Sequence, residues 1–394
     1  MNIILLEDEK DKREMIVHEV LAVVPDAEIR CVGNWLDYSR QIVETKFDLI
    51  LLDLLVPRSG KSPEAEDHHI QLVETTRDYE SKSFRTPAIV LTRYIEGSED
   101  FLYDLNRVDI NVIYFDEAGA WKDSLRRKVL SARPPARYDF VIVCALEKEA
   151  LAYEPLVDSF GAVKVISGLV CREILIGANK GVIVLAPRMG LVASAVTASI
   201  AVERFEPRLL CMSGICGGIP GNSNIYDVVI TDVCHQHDAG KWSDDGFKLE
   251  HYDVQIHPGV RAKLMELVSQ DSFLNSLCQG LTPGRSEIPD GVEHLSSRVR
   301  LEPTSSGSAV IAQEGKTESL SVGQRKLAGF EMEVFSVYEA ARHGATKPIF
   351  FAAKTVVDDG GRNKGDRFHR IGCVLSAKVV VGAIGQGLIE LYPA

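Results

Sequence analysis

The chain has 394 residues, 45% of them hydrophobic and 25% charged, which at roughly 150 residues per domain suits two or three globular domains. Its 44 basic and 56 acidic side chains leave a formal charge of −12, which argues against a nucleic-acid-coating surface but leaves room for a local basic pocket. No apolar run reaches the roughly 18–20 residues of a bilayer span, MNIILLEDEK has no signal-peptide pattern, and eight scattered cysteines read as reduced thiols. The expectation is a cytoplasmic protein that engages neither membrane nor nucleic acid.

Ile3–Leu6 reads as a short strand running into the acids Glu7, Asp8 and Glu9, and a helical pattern follows over Lys10–Val23. Leu49–Leu55 is a second apolar strand, Arg58–Asp67 a polar loop, and Ala88–Leu91 a third strand. Ile110–Phe115 reads as a further strand and Trp121–Leu130 as a helix. This alternation predicts a parallel sheet flanked by helices. The paired prolines of Ser131–Arg137 favour an extended linker.

A second α/β block opens at Phe140–Leu146, and its apolar segments recur at Val182–Ala186, Leu209–Met212, Val228–Val233 and Ile349–Val357. Leu191–Phe205, Val334–His343 and Val374–Leu391 carry helical patterns. The division is therefore 1–131, a linker over 132–138, and 139–394, with no short-period repeat. Residues 240–300 have no legible pattern and read as an insertion or an oligomer contact.

Ligands of a parallel sheet gather at the carboxyl ends of its strands. Glu7, Asp8, Asp53 and Thr92 all fall there. Three converging carboxylates repel one another unless a hard cation such as Mg²⁺ neutralises them. Asp53 then becomes a metal-assisted phosphoryl acceptor, with Thr92 placed to hydrogen-bond the phosphoryl group. The alternative is that surface strand ends simply carry acids.

The segments LLEDE, DLILLDLLVP and TPAIVLT, in that order, resemble a two-component response-regulator receiver domain, a doubly wound, flavodoxin-like fold. The resemblance implies phosphorylation of Asp53 by an upstream histidine kinase or phosphotransfer protein. It also implies Mg²⁺ held by Glu7, Asp8 and Asp53, and Thr92 as the switch residue. Two features depart from it. The polar stretch after Pro57 is long, and the lysine that contacts the phosphoryl group in that family is replaced by Phe115, Asp116 or Glu117.

Four segments carry the chemistry of the second block. ALEKEA supplies Glu147 and Glu149 after a strand. MSGICGGIPG supplies a glycine-rich turn over Gly214 to Gly221. FEMEVF supplies Glu331, Met332 and Glu333 at a helix start, and AAKTVVDDGG supplies Asp358 and Asp359 at a strand end. Cleaving an N-ribosidic bond needs an acid to protonate the leaving base, a group to stabilise the oxocarbenium-like sugar, and a carboxylate to activate water. Three separated acids around a glycine-lined pocket supply those tasks, although each alone also reads as a solvated helix start or a plain turn.

The ordered set resembles the nucleoside phosphorylase / methylthioadenosine–adenosylhomocysteine nucleosidase superfamily over 139–394, an α/β domain with a central mixed sheet. The resemblance implies Glu149, Glu333 and Asp358 as catalytic residues: Glu149 activates water, Glu333 beside Met332 holds the ribose hydroxyls, and Asp358 protonates the purine at N7. Gly217 and the loop SGSAVI, with Val310 and Ile311, line the base pocket, and Val310 stands where the family has an aromatic stacking residue. Arg188 resembles a phosphate-site arginine, but no second one accompanies it near Glu149, so water is favoured over phosphate as nucleophile.

Two motifs are set aside. Cys234-His235-Gln236-His237-Asp238 lacks a second ligand pair at zinc-finger spacing, and Gly315-Lys316-Thr317 lacks the first glycine of a P-loop. Past Asp358, the run Arg362, Lys364, Arg367, His369 and Arg370, joined by Lys354 and Arg188, is either a polyphosphate clamp or a solvated basic loop. A receiver followed by a phosphorylase-fold domain resembles the effector of Detocs-type antiphage phosphorelays. That implies a phosphorylation-gated effector hydrolysing ATP to adenine and ribose-5′-triphosphate; a homo-oligomer is expected, with no cofactor for the hydrolysis itself. The alternatives are an enzyme acting on unphosphorylated purine nucleosides such as methylthioadenosine, and a catalytically idle nucleotide sensor.

Overall fold

The computed structural model describes residues 1–392 apart from 62–64, 68, 94–98, 135, 314, 322–323 and 362–364. Two compact units divide the chain, Met1–Pro135 and Ala136–Ala394.

In the first unit β1 (Asn2–Leu6), β2 (Glu28–Val32) and β3 (Leu49–Leu52) are joined through α1 (Lys10–Val23) and α2 (Trp35–Glu44). The expected strand Leu49–Leu55 ends at Leu52, and an antiparallel ribbon pairs β4 (Leu55–Pro57) with β5 (Ala65–Asp67), the latter inside the expected loop. After it come α3 (His69–Thr76), β6 (Ala88–Thr92), α4 (Glu99–Arg107), β7 (Ile110–Tyr114) and α5 (Ala120–Ala132). Five strands form an all-parallel sheet in the order β2-β1-β3-β6-β7.

Strand residues alternate between the two faces of a sheet. Ile3, Leu5, Leu49 and Leu51 accordingly enter one core with α1 and α5, while Ile4, Leu6, Ile50 and Leu52 enter another with Tyr38 and Ile42 of α2. Both faces are covered, which is why these strands are apolar throughout. The chain leaves β1 toward β2 on one side and reaches β3 on the other. That reversal opens the crevice in which a ligand of an open α/β sheet binds, and it places Glu7, Asp8 and Asp53 at the crevice.

The second unit opens with β8 (Phe140–Cys144), α6 (Glu147–Leu151), β9 (Ser159–Ile166), β10 (Leu169–Ile176), β11 (Asn179–Leu185), α7 (Leu191–Phe205) and β12 (Leu209–Gly218). The middle carries β13 (Val228–Gln236), a hairpin of β14 (Gly240–Ser243) with β15 (Gly246–Leu249), β16 (Asp253–Gln255), α8 (Pro258–Val268) and α9 (Asp271–Leu277). Then come β17 (Val299–Ser306), α10 (Lys316–Leu320), β18 (Gly329–Glu331), α11 (Val334–His343), β19 (Ile349–Asp358) and α12 (His369–Gly385). The stretch with no legible pattern, 240–300, thus contains a hairpin, an edge strand and two helices.

The sheet is mixed, in the order β16-β13-β17-β18-β12-β8-β11-β10-β9, with β19 paired to β12 and β13. Parallel register from Leu209↔Ile349 to Gly217↔Asp358 brings the glycine-rich end of β12 beside the acid that ends β19, with an irregularity at Cys216/Gly217. The last helix starts earlier than its apolar pattern and stops at Gly385; Gly387, at φ +78°, turns the chain into a short 3₁₀ segment, Leu388–Leu391. Asp366–Gly385 is long and apolar enough to cross a membrane, but Ile371, Leu375, Val379 and Val380 of that stretch are buried in the core of this unit.

Candidate active site

In the first unit, ligand oxygens of Glu7, Asp8 and Asp53 lie within 4.8 Å of one another, and Thr92 lines the same cavity of about 300 Å³. Among them sits Lys12, a residue that the sequence reading did not single out. Its ammonium donates to Asp53 Oδ2 at 2.6 Å and lies 2.8 Å from Glu7 Oε2, and the side chain is fully buried. Burial pushes the Glu7 carboxyl up to about 7 against the pull of Lys12, and the charge of Asp53 adds to the rise. Oxygen donors at this spacing suit a hard divalent cation, and Lys12 already offsets part of their charge.

Phe115, just past β7, is buried with its ring centroid 5.4 Å from Lys12 Nζ and stacks on Trp121 at 4.4 Å. Asp116 turns away, accepting from the Gly119 amide at 2.6 Å at the start of α5. The cation therefore comes from α1. Its sequence signal was position, because Lys12 lies on the same buried helix stripe as Ile16 and Val20.

In the second unit, Glu149, Glu333 and Asp358 meet on the wall of one cavity of about 330 Å³, together with Gly217, Val310, Ile311 and Met332. Glu149, on α6, is 2% exposed; its Oε2 accepts from the amides of Ala145 (2.9 Å) and Leu146 (3.0 Å), and Oε1 from that of Ile215 (3.1 Å). Burial raises its pKa and the nearby Lys354 opposes the rise. A Cβ on Gly214 would stand 2.1 Å from Glu149 Oε1, so the seat of this carboxylate requires glycine there.

Glu333 ends the turn before α11. Its Oε1 accepts from the Gly190 amide and its Oε2 from Lys354 Nζ, each at 3.2 Å. Lys354 is fully buried and also lies 3.8 Å from Glu331 Oε2. Burial alone would lower its pKa, but the carboxylates of Glu333, Glu149 and Glu331 outweigh that and hold it above the ordinary lysine value. Glu331 in turn accepts from the amides of Glu333 and Val334, both at 2.8 Å, and from the Ser306 hydroxyl. Its own pKa is pushed up to about 7, chiefly by burial. Asp358 Oδ1 accepts from the Gly360 amide at 2.9 Å.

Several expectations need correction. Lys354 is packed beneath the cavity against carboxylates and is not free to clamp a polyphosphate. Arg367 turns to the carbonyl of Ile288 (2.7 Å) and to Asp290 (3.1 Å), and Arg370 pairs with both oxygens of Glu287, because the 285–290 segment offers acceptors within reach. Arg188 is exposed and does not line the cavity, and Arg362 and Lys364 lie outside the described residues. Among the described residues of the basic run, His369 alone lines the cavity, and Lys148, which the sequence reading passed over, lines it too. The aromatic ring of the cavity comes from Phe330 on β18; a Cβ on Gly217 would stand 2.1 Å from that ring. Cys234 is buried against Ser306 Oγ at 3.2 Å, while His237 contacts Ser305 at 2.8 Å and His235 contacts Gln324 at 3.1 Å.

Residues 139–378 match the phosphorylase superfamily. The uncharacterized protein y4jS of Sinorhizobium fredii is 24% identical over 98% of this chain and 99% of its own length. A 5′-methylthioadenosine/S-adenosylhomocysteine nucleosidase of Maridesulfovibrio salexigens is 37% identical over 51 residues, 13% of this chain and 22% of that protein. Among solved structures, the nucleosidase of the same name from Colwellia psychrerythraea, in complex with adenine, superposes with a TM-score of 0.51 at 17% identity. That match covers 64% of this chain and 97% of the other. The S-adenosylhomocysteine nucleosidase of Streptococcus pyogenes, in complex with 5-methylthiotubericidin, gives 0.50 at 17% identity over 66% and 98%. These likenesses concern the fold.

Proposed function

The chain belongs to the phosphorylase superfamily, and from that membership we propose that its second unit hydrolyses the N-glycosidic bond of adenine nucleotides, releasing adenine and ribose-5′-triphosphate from ATP. The observation that carries this reading is the meeting of Glu149, Glu333 and Asp358 on one cavity wall. Glu149 takes a proton from water as the water oxygen bonds to C1′. The C1′–N9 bond breaks with its electron pair to the purine, and Asp358 supplies the proton that N7 gains. Glu333, backed by Lys354, accepts from the 2′- and 3′-hydroxyls and faces the positive charge that develops on the sugar. Phe330 offers the base an apolar ring. No arginine lines the cavity among the described residues, which favours water over phosphate as nucleophile.

The first unit, in this proposal, is a receiver that gates the second. Asp53 accepts the phosphoryl group from a histidine kinase or phosphotransfer protein, Glu7, Asp8 and Asp53 hold Mg²⁺, and Thr92 responds to the new charge. The phosphoryl group adds about −1.5 to −2 charge to a pocket whose only buried cation among the described residues is Lys12. The strand order and the acids at its reversal point support this. The unphosphorylated state is off, since unchecked loss of ATP is toxic. Exposed Val192 and Val196 on α7 suit a homo-oligomer. The nucleosidases that share this fold favour a second reading, cleavage of methylthioadenosine or a related nucleoside.

The test is a nucleoside and nucleotide panel incubated with full-length protein, Mg²⁺ and acetyl phosphate, with base and sugar products identified by mass spectrometry. Adenine with ribose-5′-triphosphate is expected. Sugar 1-phosphate would overturn hydrolysis, adenine from methylthioadenosine alone would overturn the nucleotide reading, and unchanged release by Asp53→Asn would remove the gate.

A further inference from the structure

Among the described residues, Lys148 and His369 are the basic side chains on the cavity wall that holds Glu149, Glu333 and Asp358. They come from elements far apart in sequence. Lys148 precedes Glu149 on α6, and His369 is the first residue of α12, a helix of 17 residues. Lys148 Nζ and His369 Nδ1 nevertheless meet at 2.5 Å. Asp366 sits against both, its carboxylate 3.8 Å from Lys148 Nζ and 3.1 Å from His369 Nδ1, with a side chain 84% exposed.

The Lys148 ammonium donates to Nδ1 when the imidazole is neutral and is repelled by it when both are charged, so the pair carries one or two positive charges. Asp366, a loosely seated, solvent-facing carboxylate, supplies the countercharge beside them. The amino-terminal end of a long helix adds positive potential at His369. Lys148 is 40% exposed, so its ammonium can follow a ligand, whereas His369 is 13% exposed and fixed.

We propose that Lys148 and His369 form the site for the 5′-phosphate of the substrate, which displaces Asp366 from between them. This rests on reading the cavity as a nucleoside site and names the group that would make nucleotides its substrates. A phosphate dianion satisfies both basic groups at once and brings more charge than the carboxylate that it replaces. Because Lys148 and Glu149 are consecutive, a phosphate gripped here also fixes the sugar relative to the water-activating carboxylate.

The test uses full-length protein and two carbon-linked adenine nucleoside analogues, one bearing a 5′-phosphate and one not, so that no base can leave during calorimetric titration. In wild type the phosphate is expected to tighten binding about 10- to 100-fold, the range for charge-assisted hydrogen bonds. Lys148→Ala and His369→Ala each lose most of that gain, read as the ratio of the two analogues' affinities within each variant, Lys148→Arg keeps it, and Asp366→Asn increases it. A wild type that gains nothing from the phosphate, or a gain that survives both alanine variants, overturns the proposal. Failure of wild type to bind either analogue overturns the nucleoside-site reading instead.

Discussion

Lys12 Nζ lies 2.6 Å from Asp53 Oδ2, and both groups are almost wholly withdrawn from solvent. Removing one member of a buried ion pair leaves an uncompensated charge, which costs about 3–5 kcal/mol. Lys12→Met keeps the length of the side chain and deletes its charge, stranding Glu7 and Asp53 together. The unfolding transition of the first unit is expected to fall by that amount, and millimolar Mg²⁺ is expected to recover more stability in the variant than in wild type. Urea unfolding followed by the fluorescence of Trp121, which stacks on Phe115 beside the pocket, measures both. Equal stability of variant and wild type without Mg²⁺ would show that Lys12 is not compensating the pocket.

Gly214→Ala probes the seat of Glu149. The added methyl would stand 2.1 Å from Oε1 and 2.5 Å from Cδ, so the carboxylate must leave its three backbone donors. Overpacking of this kind costs about 1–3 kcal/mol of stability, while the loss of a positioned base lowers kcat about 10²- to 10⁴-fold. Thermal unfolding and adenine release from the same preparation separate the two effects. A variant that folds normally and retains kcat would remove Glu149 from the reaction.

What was legible in the sequence follows from which residues had one physical reading. LILL and FVIVC are apolar on both faces, and only a covered strand explains that. β9 was missed because it is an edge strand whose Val163 and Val165 face solvent, so its pattern has no buried period. The acids of the candidate site could be named because ordered motifs surround them. The role of their support was less plain: Lys354 sits in the apolar run AAKTVV and reads as a phosphate ligand, and Lys12 is marked only by its place on the buried stripe of α1. The basic run after Asp358 misled for the converse reason, since Glu287, which takes Arg370, is 83 positions away and carries no local sign of that role. Phe330 was overlooked because the aromatic was sought in the SGSAVI loop, whereas Gly217 makes room for it on β18.

Asp358→Asn separates protonation of the base from binding. Asparagine keeps the size of the side chain and an oxygen for the Gly360 amide, but has no acid proton to give N7. With adenine as leaving group, kcat is expected to fall about 10²- to 10⁴-fold. With a ribosyl substrate whose leaving group departs as a stable anion, such as a nitrophenolate, variant and wild type should react within a few-fold of each other. Paired assays on the two substrates read this directly. An equal loss on both would mean that Asp358 acts through something other than the leaving base.

Lys354→Met tests the electrostatics beneath the cavity through pH. Burial raises the pKa of Glu149 above the ordinary carboxylate value, and the Lys354 ammonium partly restrains that rise. A general base works only when deprotonated, so kcat/KM falls as pH drops through the Glu149 pKa, and this acid limb lies above the usual carboxylate range. Deleting the ammonium removes an attraction for the Glu149 carboxylate and leaves the like charge of Glu333 unopposed. Both changes favour the protonated form, so the limb moves to higher pH. The variant is expected to be slow near neutrality and to recover part of its rate as pH rises, whereas a variant damaged only in structure would be slow at every pH. A kcat/KM profile from pH 5 to 9, with unfolding followed at each pH, distinguishes them, and an acid limb that stays in place would show that Lys354 does not act on Glu149.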